Sequence, residues 1–464
     1  MSLSFADITG LLWGVSFLAC ILFAVEILRS PRPEQSISAW LLLFLLVPPA
    51  GVVLYLLFGR RKLRRLVGRK PSLPMEGLAA PCPHINPFDS LIRSFGLPPP
   101  SKDNVVTFCG AGDAAHAAVI DMIETATESL WVATYILDAD PIGTDIVRRL
   151  ADRAAAGVQV RLMVDDIGSP DARDGRLVTP LTQAGGGFGL FMPVSFVPHV
   201  RHYSNLRNHR KMIVADQRRV WSGGMNLSEK YLGSPIVEGF FHDLSFVIEG
   251  SAAAVYGGIF AADWIFCTEE QLSLVKPDFC TADAAGSGVV QVVPSGPELA
   301  GDPIYDVIIT MVNRAERRLW VVTPYFVPDV GLVRAFRLAA RRGVDVRLLT
   351  DFASDVPLLD FACIPYLRSV VAAGGRVLRF KDGMLHAKAL VIDDHLAFAG
   401  TTNLDQRSLF LNFEVMSLFY GPDEVAQIAA WMEAFFDRST EELPPATPVR
   451  QVAEGLIRLF APIL

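Results

Sequence analysis

The sequence has little that would mark a metalloprotein, a disulfide scaffold or a nucleic-acid binder. Its six cysteines, at positions 20, 82, 109, 267, 280 and 363, are scattered over 464 residues. No Cys-x-x-Cys occurs and no Cys/His group has zinc spacing, so neither a metal centre nor a disulfide framework is expected. Positive charge is also short, since 42 Lys and Arg against 49 Asp and Glu leave a formal net charge of −7. Without a global basic field, nucleic acid is not an expected partner and a nuclease is disfavoured. Charged residues make up only 20% of the chain, while hydrophobic residues reach 51% and the mean hydropathy is +0.35. That balance is too apolar for a purely soluble enzyme and predicts a membrane part.

The membrane part lies at the N-terminus. Ile8 to Leu28 is an apolar run whose only charge is Glu26, and Ser38 to Phe58 is a second run with none. Each is about 21 residues, roughly 31 Å of helix, which matches a hydrocarbon core. A signal peptide is not the reading, because Asp7 precedes the first run without any Lys or Arg and no small-x-small cleavage site precedes the second. Both runs are expected to cross the bilayer, although Pro48-Pro49 in the middle of the second leaves a re-entrant helix open. Arg60, Arg61, Lys62, Arg64, Arg65, Arg69 and Lys70 follow, against only Arg29 and Arg32 between the runs. By the positive-inside rule, everything beyond residue 60 is cytoplasmic. The cluster can also attract anionic headgroups, or act only as a stop-transfer anchor.

Beyond this membrane segment (residues 1–70), residues 71–104 form a Pro-rich linker. An α/β pattern then occurs twice, at 105–270 and 301–440, divided by a linker at 271–300. In the first copy Ala114–Ser129 and Thr144–Ala156 read as helices, and Leu130–Ile136 and Val158–Val164 as strands. In the second, Ile304–Arg317 and Val330–Arg341 read as helices, and Leu319–Tyr325 and Gly343–Leu348 as strands. Gly157-Val-Gln-Val-Arg-Leu and Gly343-Val-Asp-Val-Arg-Leu are near copies, so whole domains are duplicated. A first-half loop runs from Gly185-Gly-Gly-Phe188 through Phe191, Phe196, His199, Arg201, His202 and Tyr203. It either covers a lipid or packs on the linker. At 441–464 an amphipathic tail carries Val449, Val452, Leu456, Leu459, Phe460 and Ile463 at helical spacing, suited to docking on the core or lying on a bilayer.

Each copy carries the same string. His209, Lys211, Asp216, Gly223 and Asn226 recur as His386, Lys388, Asp393, Gly400 and Asn403, with Lys two residues after His, Asp seven, Gly fourteen and Asn seventeen. His and Lys alternate on what reads as a strand, so both emerge on one face. An imidazole, an ammonium and a carboxamide from a rigid sheet edge can hold a phosphate while a ring nitrogen reaches phosphorus. Phosphodiester exchange needs a nucleophile and a proton donor for the leaving alcohol, and two copies supply both without a metal or other cofactor. Asp216 and Asp393, more distant, suit ordering the motif itself. Asp243 and Glu414, in strand-like runs after their motifs, can orient each His ring through its other nitrogen.

These residues resemble the phospholipase D superfamily, whose mark is the duplicated His-x-Lys-x4-Asp string. Further strings resemble the bacterial cardiolipin synthases over nearly the whole chain. They are Leu56-Leu-Phe-Gly-Arg60, Asn208-His-Arg-Lys211 with Ser222-Gly-Gly-Met-Asn226, Ala261-Ala-Asp-Trp264, Gln291-Val-Val-Pro-Ser-Gly-Pro297, Thr323-Pro-Tyr-Phe-Val-Pro-Asp329, Asn403-Leu-Asp-Gln-Arg-Ser408 and Leu411-Asn-Phe-Glu414. One departure is Asp394 after Asp393, where the family commonly has Gly. The resemblance implies an α/β fold of two similar phospholipase D-like domains, each a mixed β-sheet flanked by helices, related by a pseudo-twofold. It implies a catalytic set of His209, Lys211, Asp216, His386, Lys388 and Asp393, with His209 as nucleophile and His386 as acid/base. It also implies a bacterial inner-membrane enzyme for which phosphatidylglycerol is donor and acceptor. A hydrolase, or a synthase with phosphatidylethanolamine as donor, would share the motifs. The sequence leaves the oligomeric state open.

Overall fold

The computed structural model describes residues 5–29, 34–58, 70, 86–193, 206–234, 239–276 and 288–458. It divides into two compact units, Met1–Leu63 with Ser195–Asn205, and Arg64–Val194 with Leu206–Leu464. The basic cluster before Lys70, the first half of the Pro-rich linker, the aromatic loop residues Phe196 to Tyr203, and Leu459, Phe460 and Ile463 lie outside the described residues.

In the first unit, α1 (Phe5–Leu28) is a continuous helix, of which Thr9–Leu28 is long and apolar enough to cross a bilayer. The second apolar run differs from the spanning helix expected. It forms α2 (Glu34–Leu46) and α3 (Pro48–Phe58), broken at Val47, where Pro48-Pro49 withdraws two backbone donors. The two helices fold back on each other. A Cβ on Gly51 would stand 3.4 Å from Phe44 Cα, and the rings of Trp40 and Tyr55 are 5.2 Å apart. Both pairs are mirror-placed about the break, as in an antiparallel hairpin. Arms of about 20 and 16 Å fall short of a ~30 Å hydrocarbon core. The hairpin tip meets α1 part-way along its length, where Cys20 Sγ lies 3.6 Å from the Pro48 carbonyl.

The second unit holds two matched sheets. In chain order the strands of the first half are β1 (Val105–Cys109), β2 (Ser129–Thr134), β3 (Gln159–Asp165), β4 (Gly187–Phe191), β5 (Met212–Ala215), β6 (Arg219–Gly223), β7 (Phe241–His242) and β8 (Ser245–Glu249). Those of the second are β9 (Val290–Ser295), β10 (Arg318–Val322), β11 (Phe326–Val327), β12 (Asp345–Asp351), β13 (Arg376–Phe380), β14 (Met384–Leu385), β15 (Ala389–Ile392), β16 (Leu396–Gly400), β17 (Leu404–Asp405), β18 (Glu414–Phe419) and β19 (Ser439–Thr440). The first sheet runs β1-β8-β6-β5-β2-β3-β4 and the second β19-β13-β12-β10-β15-β16-β18-β9. In each, two βαβ strands pair in parallel (β2 with β3, β10 with β12), and the motif hairpin (β5-β6, β15-β16) adds antiparallel beside them. The inner strands bury every residue, because helices cover both faces. The crossover helices are α4 (Gly112–Thr125), α5 (Pro141–Ala155), α7 (Pro303–Arg314) and α8 (Val330–Arg341), close to the spans read from sequence.

Between the first sheet and β9, α6 (Ser251–Thr268) is apolar enough to resemble a membrane span, yet it is a buried core helix. Trp131, Phe260 and Trp264 stack along it, with ring centroids 5.6 and 5.8 Å apart. β9 falls in the stretch read as a divider, but it pairs with β18 and so belongs to the second sheet. At the end, α9 (Pro357–Val371) carries α10 (Pro448–Arg458), which docks through an Arg368–Glu454 ion pair at 2.8 Å.

Candidate active site

The two motif histidines sit just outside the strands in which the sequence pattern placed them. His209 and Lys211 lie on the extended approach to β5, and His386 follows β14. Each approach is stitched to the other half of the unit. The His209 amide donates to the Phe413 carbonyl at 2.9 Å, and the His386 amide donates to the His242 carbonyl at 2.7 Å. β14 pairs in parallel with β7, and Asn208 bridges Phe413 in the same sense.

The residues that follow Phe413 and His242 are the two expected orienting carboxylates, so these also cross over. His209 Nδ1 lies 3.0 Å from Glu414 Oε2, and His386 Nδ1 lies 2.7 Å from Asp243 Oδ2. Each carboxylate follows one motif in sequence and serves the histidine of the other. Holding Nδ1–H fixes the tautomer that leaves Nε2 as the free base. Burial opposes ionisation of both acids. Lys388 and His386 nonetheless hold Asp243 below the usual carboxylate range, and His209 with Lys211 does so for Glu414.

Both motifs face one interior. Lys388 lowers the basicity of His209 and Lys211 that of His386, each acting from the opposite half after the larger effect of burial. His386 is driven down to about 3 by burial and then by Lys388, whose Nζ lies over the ring, 2.6 Å from Nδ1 and 3.1 Å from Nε2. Lys211 donates to the His209 carbonyl at 2.8 Å. Burial lowers Lys211 to about 7 and Lys388 to about 8, against the pull of Glu414 and Asp243. Two neutral imidazoles and two poised ammonium groups therefore share a water-poor site. Tyr135 stands edge-on to His209 at 5.1 Å and Tyr231 edge-on to His386 at 5.2 Å.

Asn226 accepts from the Ile136 amide at 3.1 Å through Oδ1, and its buried Nδ2 makes no hydrogen bond. On Asn403 it is instead the acceptor Oδ1 that is buried and unpaired. Buried amide atoms of this kind are rare in finished cores and common where a ligand completes the set.

Asp216 and Asp393 stand elsewhere, beyond the far ends of β5 and β15. Asp216 accepts from the amides of Thr127, Glu128 and Ser129 at 2.7 to 3.2 Å, and Asp393 accepts from those of Glu316, Arg317 and Arg318 at 2.8 to 3.2 Å. Each carboxylate thus fixes the start of the neighbouring parallel strand, and neither faces the histidines. Asp216, Gln217 and Asp393 adopt positive φ, whereas Asp394 does not. No glycine is needed at 394, and its carboxylate pairs with Arg317 and Arg318 instead.

Sequence reasoning missed a second matched pair. Asp165 and Asp351 end β3 and β12, and their carboxylates receive the amides of Asn208 (3.0 Å) and Leu385, the residues just before the two histidines. Each Asp lies eight residues after the Gly of the near-copy strand, so aligning the repeats would have found them. The pair is unequal. Arg207 stands 3.2 Å from Asp165, while Asp351 Oδ2 is buried without a hydrogen bond and burial pushes its carboxyl well up. Also missed was a buried ionic cluster beneath the site. Arg210 donates to both Asp263 oxygens at 2.8 Å and to Glu298 at 3.0 Å, and Lys70 reaches Asp263 at 2.5 Å.

Comparison with known proteins agrees with this geometry. The family described as "Cardiolipin synthase, PLD-like domain" matches residues 119–264 and 308–438, and the phospholipase D-nuclease N-terminal family matches 18–60. Cardiolipin synthase 1 of Bacillus anthracis is 30% identical over 100% of this chain and 95% of its own length. The cardiolipin synthase of Geobacillus kaustophilus is 32% identical over 97% and 92%. Among solved structures, the phosphatidylserine synthase of Haemophilus influenzae shares the fold, with a TM-score of 0.62 at 16% identity, covering 82% of this chain and 100% of that one. With its duplicated sheets and paired motifs matched across both halves, the chain belongs to the cardiolipin synthase family of phospholipase D-like proteins.

Proposed function

We propose that the site transfers a phosphatidyl group from one phosphatidylglycerol to another, giving cardiolipin and glycerol. The chain is a membrane-anchored phosphatidyltransferase, a cardiolipin synthase. The observation that carries the lipid-to-lipid chemistry is the crossed clamp, in which each half orients the other's histidine, so that two imidazoles serve one phosphorus.

His209 is the better nucleophile of the two, since its Nε2 has no hydrogen bond among the described residues while Lys388 crowds both ring nitrogens of His386. His209 Nε2 attacks phosphorus and the bond to the donor's glycerol oxygen breaks. His386, protonated from Lys388, passes its proton to that oxygen and glycerol leaves. The primary hydroxyl of a second phosphatidylglycerol then attacks the phosphohistidine. The P–N bond breaks, His386 takes the hydroxyl proton and returns it to Lys388. Lys211, Lys388 and the free Nδ2 of Asn226 hold the non-bridging oxygens, while Asn403, through its Oδ1, can accept from a lipid hydroxyl. Anchoring raises the local concentration of the lipid alcohol, which favours transfer over hydrolysis.

The basic residues after 60 support a catalytic unit on the cytoplasmic side of the bacterial inner membrane. The α2–α3 hairpin then leaves the Phe5 end of α1 on the far side. Asp7 is the only charge before Glu26, so no basic residue opposes that placement.

The test is to supply purified protein with headgroup-labelled and acyl-labelled phosphatidylglycerol in vesicles. Cardiolipin and free glycerol are expected in equal amounts, with acid-stable phosphate absent and alkali-stable phosphohistidine on His209 after a rapid quench. Phosphatidic acid as the sole product would overturn the transferase reading.

A further inference from the structure

Away from the catalytic interior, α8, α9 and α10 enclose an open groove of about 470 Å³. Arg334, Arg337 and Arg341 line one wall from successive turns of α8, and Arg458 faces them from α10. No acidic residue lines this groove. None of the four arginines forms an ion pair among the described residues, and the Nε of Arg337 is buried without a hydrogen bond. In a chain of net charge −7, whose other arginines among the described residues largely pair with Asp or Glu, three guanidinium groups without an ion pair and a fourth that only lies over the Tyr366 ring at 4.9 Å form an anion site in one concavity.

The surroundings say which anion. Val330 and Leu338 on the groove wall are 67% and 42% exposed, and on α9 Leu358 and Phe361 are also exposed. α10 docks through Glu454, buried between Arg368 and Arg450, and through Ile457 on the Val327–Leu359–Ala362 cluster, which leaves a second apolar stripe outward. Val449, Val452 and Leu456 on that stripe are 82%, 64% and 58% exposed. A soluble anion would gain nothing from these apolar side chains. The headgroup layer of a bilayer offers phosphate and hydrocarbon within one side chain's reach.

We infer that the groove between α8, α9 and α10 binds the phosphate of an anionic bilayer phospholipid and seats the second half of the catalytic unit on the membrane surface. It is a docking site separate from the phosphatidyl-transfer centre, and its role does not depend on which donor lipid that centre uses. The bland role of α10, to cap α9, leaves both the unpaired arginines and the outward apolar stripe unexplained.

The test uses the full-length protein in nanodiscs of phosphatidylcholine alone or with about a third phosphatidic acid, an anionic lipid that is not the proposed donor. Hydrogen exchange over α8 and α10 should slow in the anionic discs and remain fast in the neutral ones. The Arg334→Gln/Arg337→Gln/Arg341→Gln variant should lose that slowing. Its turnover should fall about tenfold or more in bilayers and stay near the parent's in mixed detergent micelles. Three results would overturn the proposal. They are equal protection in neutral discs, protection by millimolar inorganic phosphate without lipid, and protection that tracks formation of a dimer in size-exclusion chromatography. Loss of turnover in micelles as well would point to misfolding, and an Arg→Lys triple variant, which keeps the charge, then decides. Restored protection supports the site, and none overturns it.

Discussion

At the scale of single residues, the site is a set of charges that burial has moved toward neutrality. Lys211 at about 7 and Lys388 at about 8 are protonated below those values and neutral above them. Binding an anionic diester needs the ammonium forms, so kcat/KM should be full below about pH 7 and fall as pH rises through 7 to 8. The bound phosphate restores the protons, so kcat should hold to higher pH. Rates in mixed micelles across that range check this, and an alkaline limb near the ordinary lysine value would contradict it. A second prediction separates Asp165 from Asp351. Asn at 351 can still accept the Leu385 amide and replaces a carboxyl that burial keeps protonated, so Asp351→Asn should retain kcat within a few fold. Burial raises the Asp165 carboxyl as well, but Arg207 and the amides of Asn208, Gly168 and Ile167 oppose it, so Asp165→Asn removes an arginine's partner that Asp351 does not have and should lower kcat about tenfold or more with little change in KM. Equal effects of the two substitutions on kcat would refute the inequality. His209, Lys211 and their copies were legible because spacing records them. The partners were not, because which carboxylate meets which ring is a property of chain crossing, and Glu414 is 205 positions from His209.

Among elements, the two halves differ in legibility for a physical reason. Crossover helices such as α8 announce themselves by amphipathic period, and the inner strands by apolar runs between turns. An all-apolar run has no period to read. Ser38–Phe58 therefore gave length without shape, and only Pro48-Pro49 hinted that Val47 is a reversal. The hairpin places Ser38 and Phe58 at neighbouring feet. In a chain freed of native cysteines, Ser38→Cys and Phe58→Cys should react with a membrane-impermeant maleimide from the same face of oriented vesicles. Labelling from opposite faces would restore the spanning helix. Gly51→Leu should disturb the hairpin, because even a Cβ there meets Phe44 Cδ1 at 2.8 Å.

For the catalytic unit as a whole, duplication has produced one folding body with two sheets. Each half lends the other a backbone acceptor and a carboxylate for its histidine. The join is reinforced by Arg210 on Asp263 and Glu298, by Tyr256 on Ser417 at 2.8 Å, and by Trp431 on the Gly110 carbonyl at 3.1 Å. Separating the halves would expose the apolar side chains packed across the join, such as Phe108 on Phe419, at roughly 25 cal/mol per Å² of apolar surface. The unit should therefore unfold in one transition, with activity and near-ultraviolet circular dichroism lost together on heating. A protease site inserted between residues 276 and 288, which separate the two halves in sequence, sharpens the point. After cleavage the two pieces should co-elute and keep cardiolipin synthesis, and both should be lost together in denaturant. A nicked protein whose pieces part while one retains phosphatidyl transfer would show that a single motif suffices, and the crossed clamp would then have no catalytic meaning.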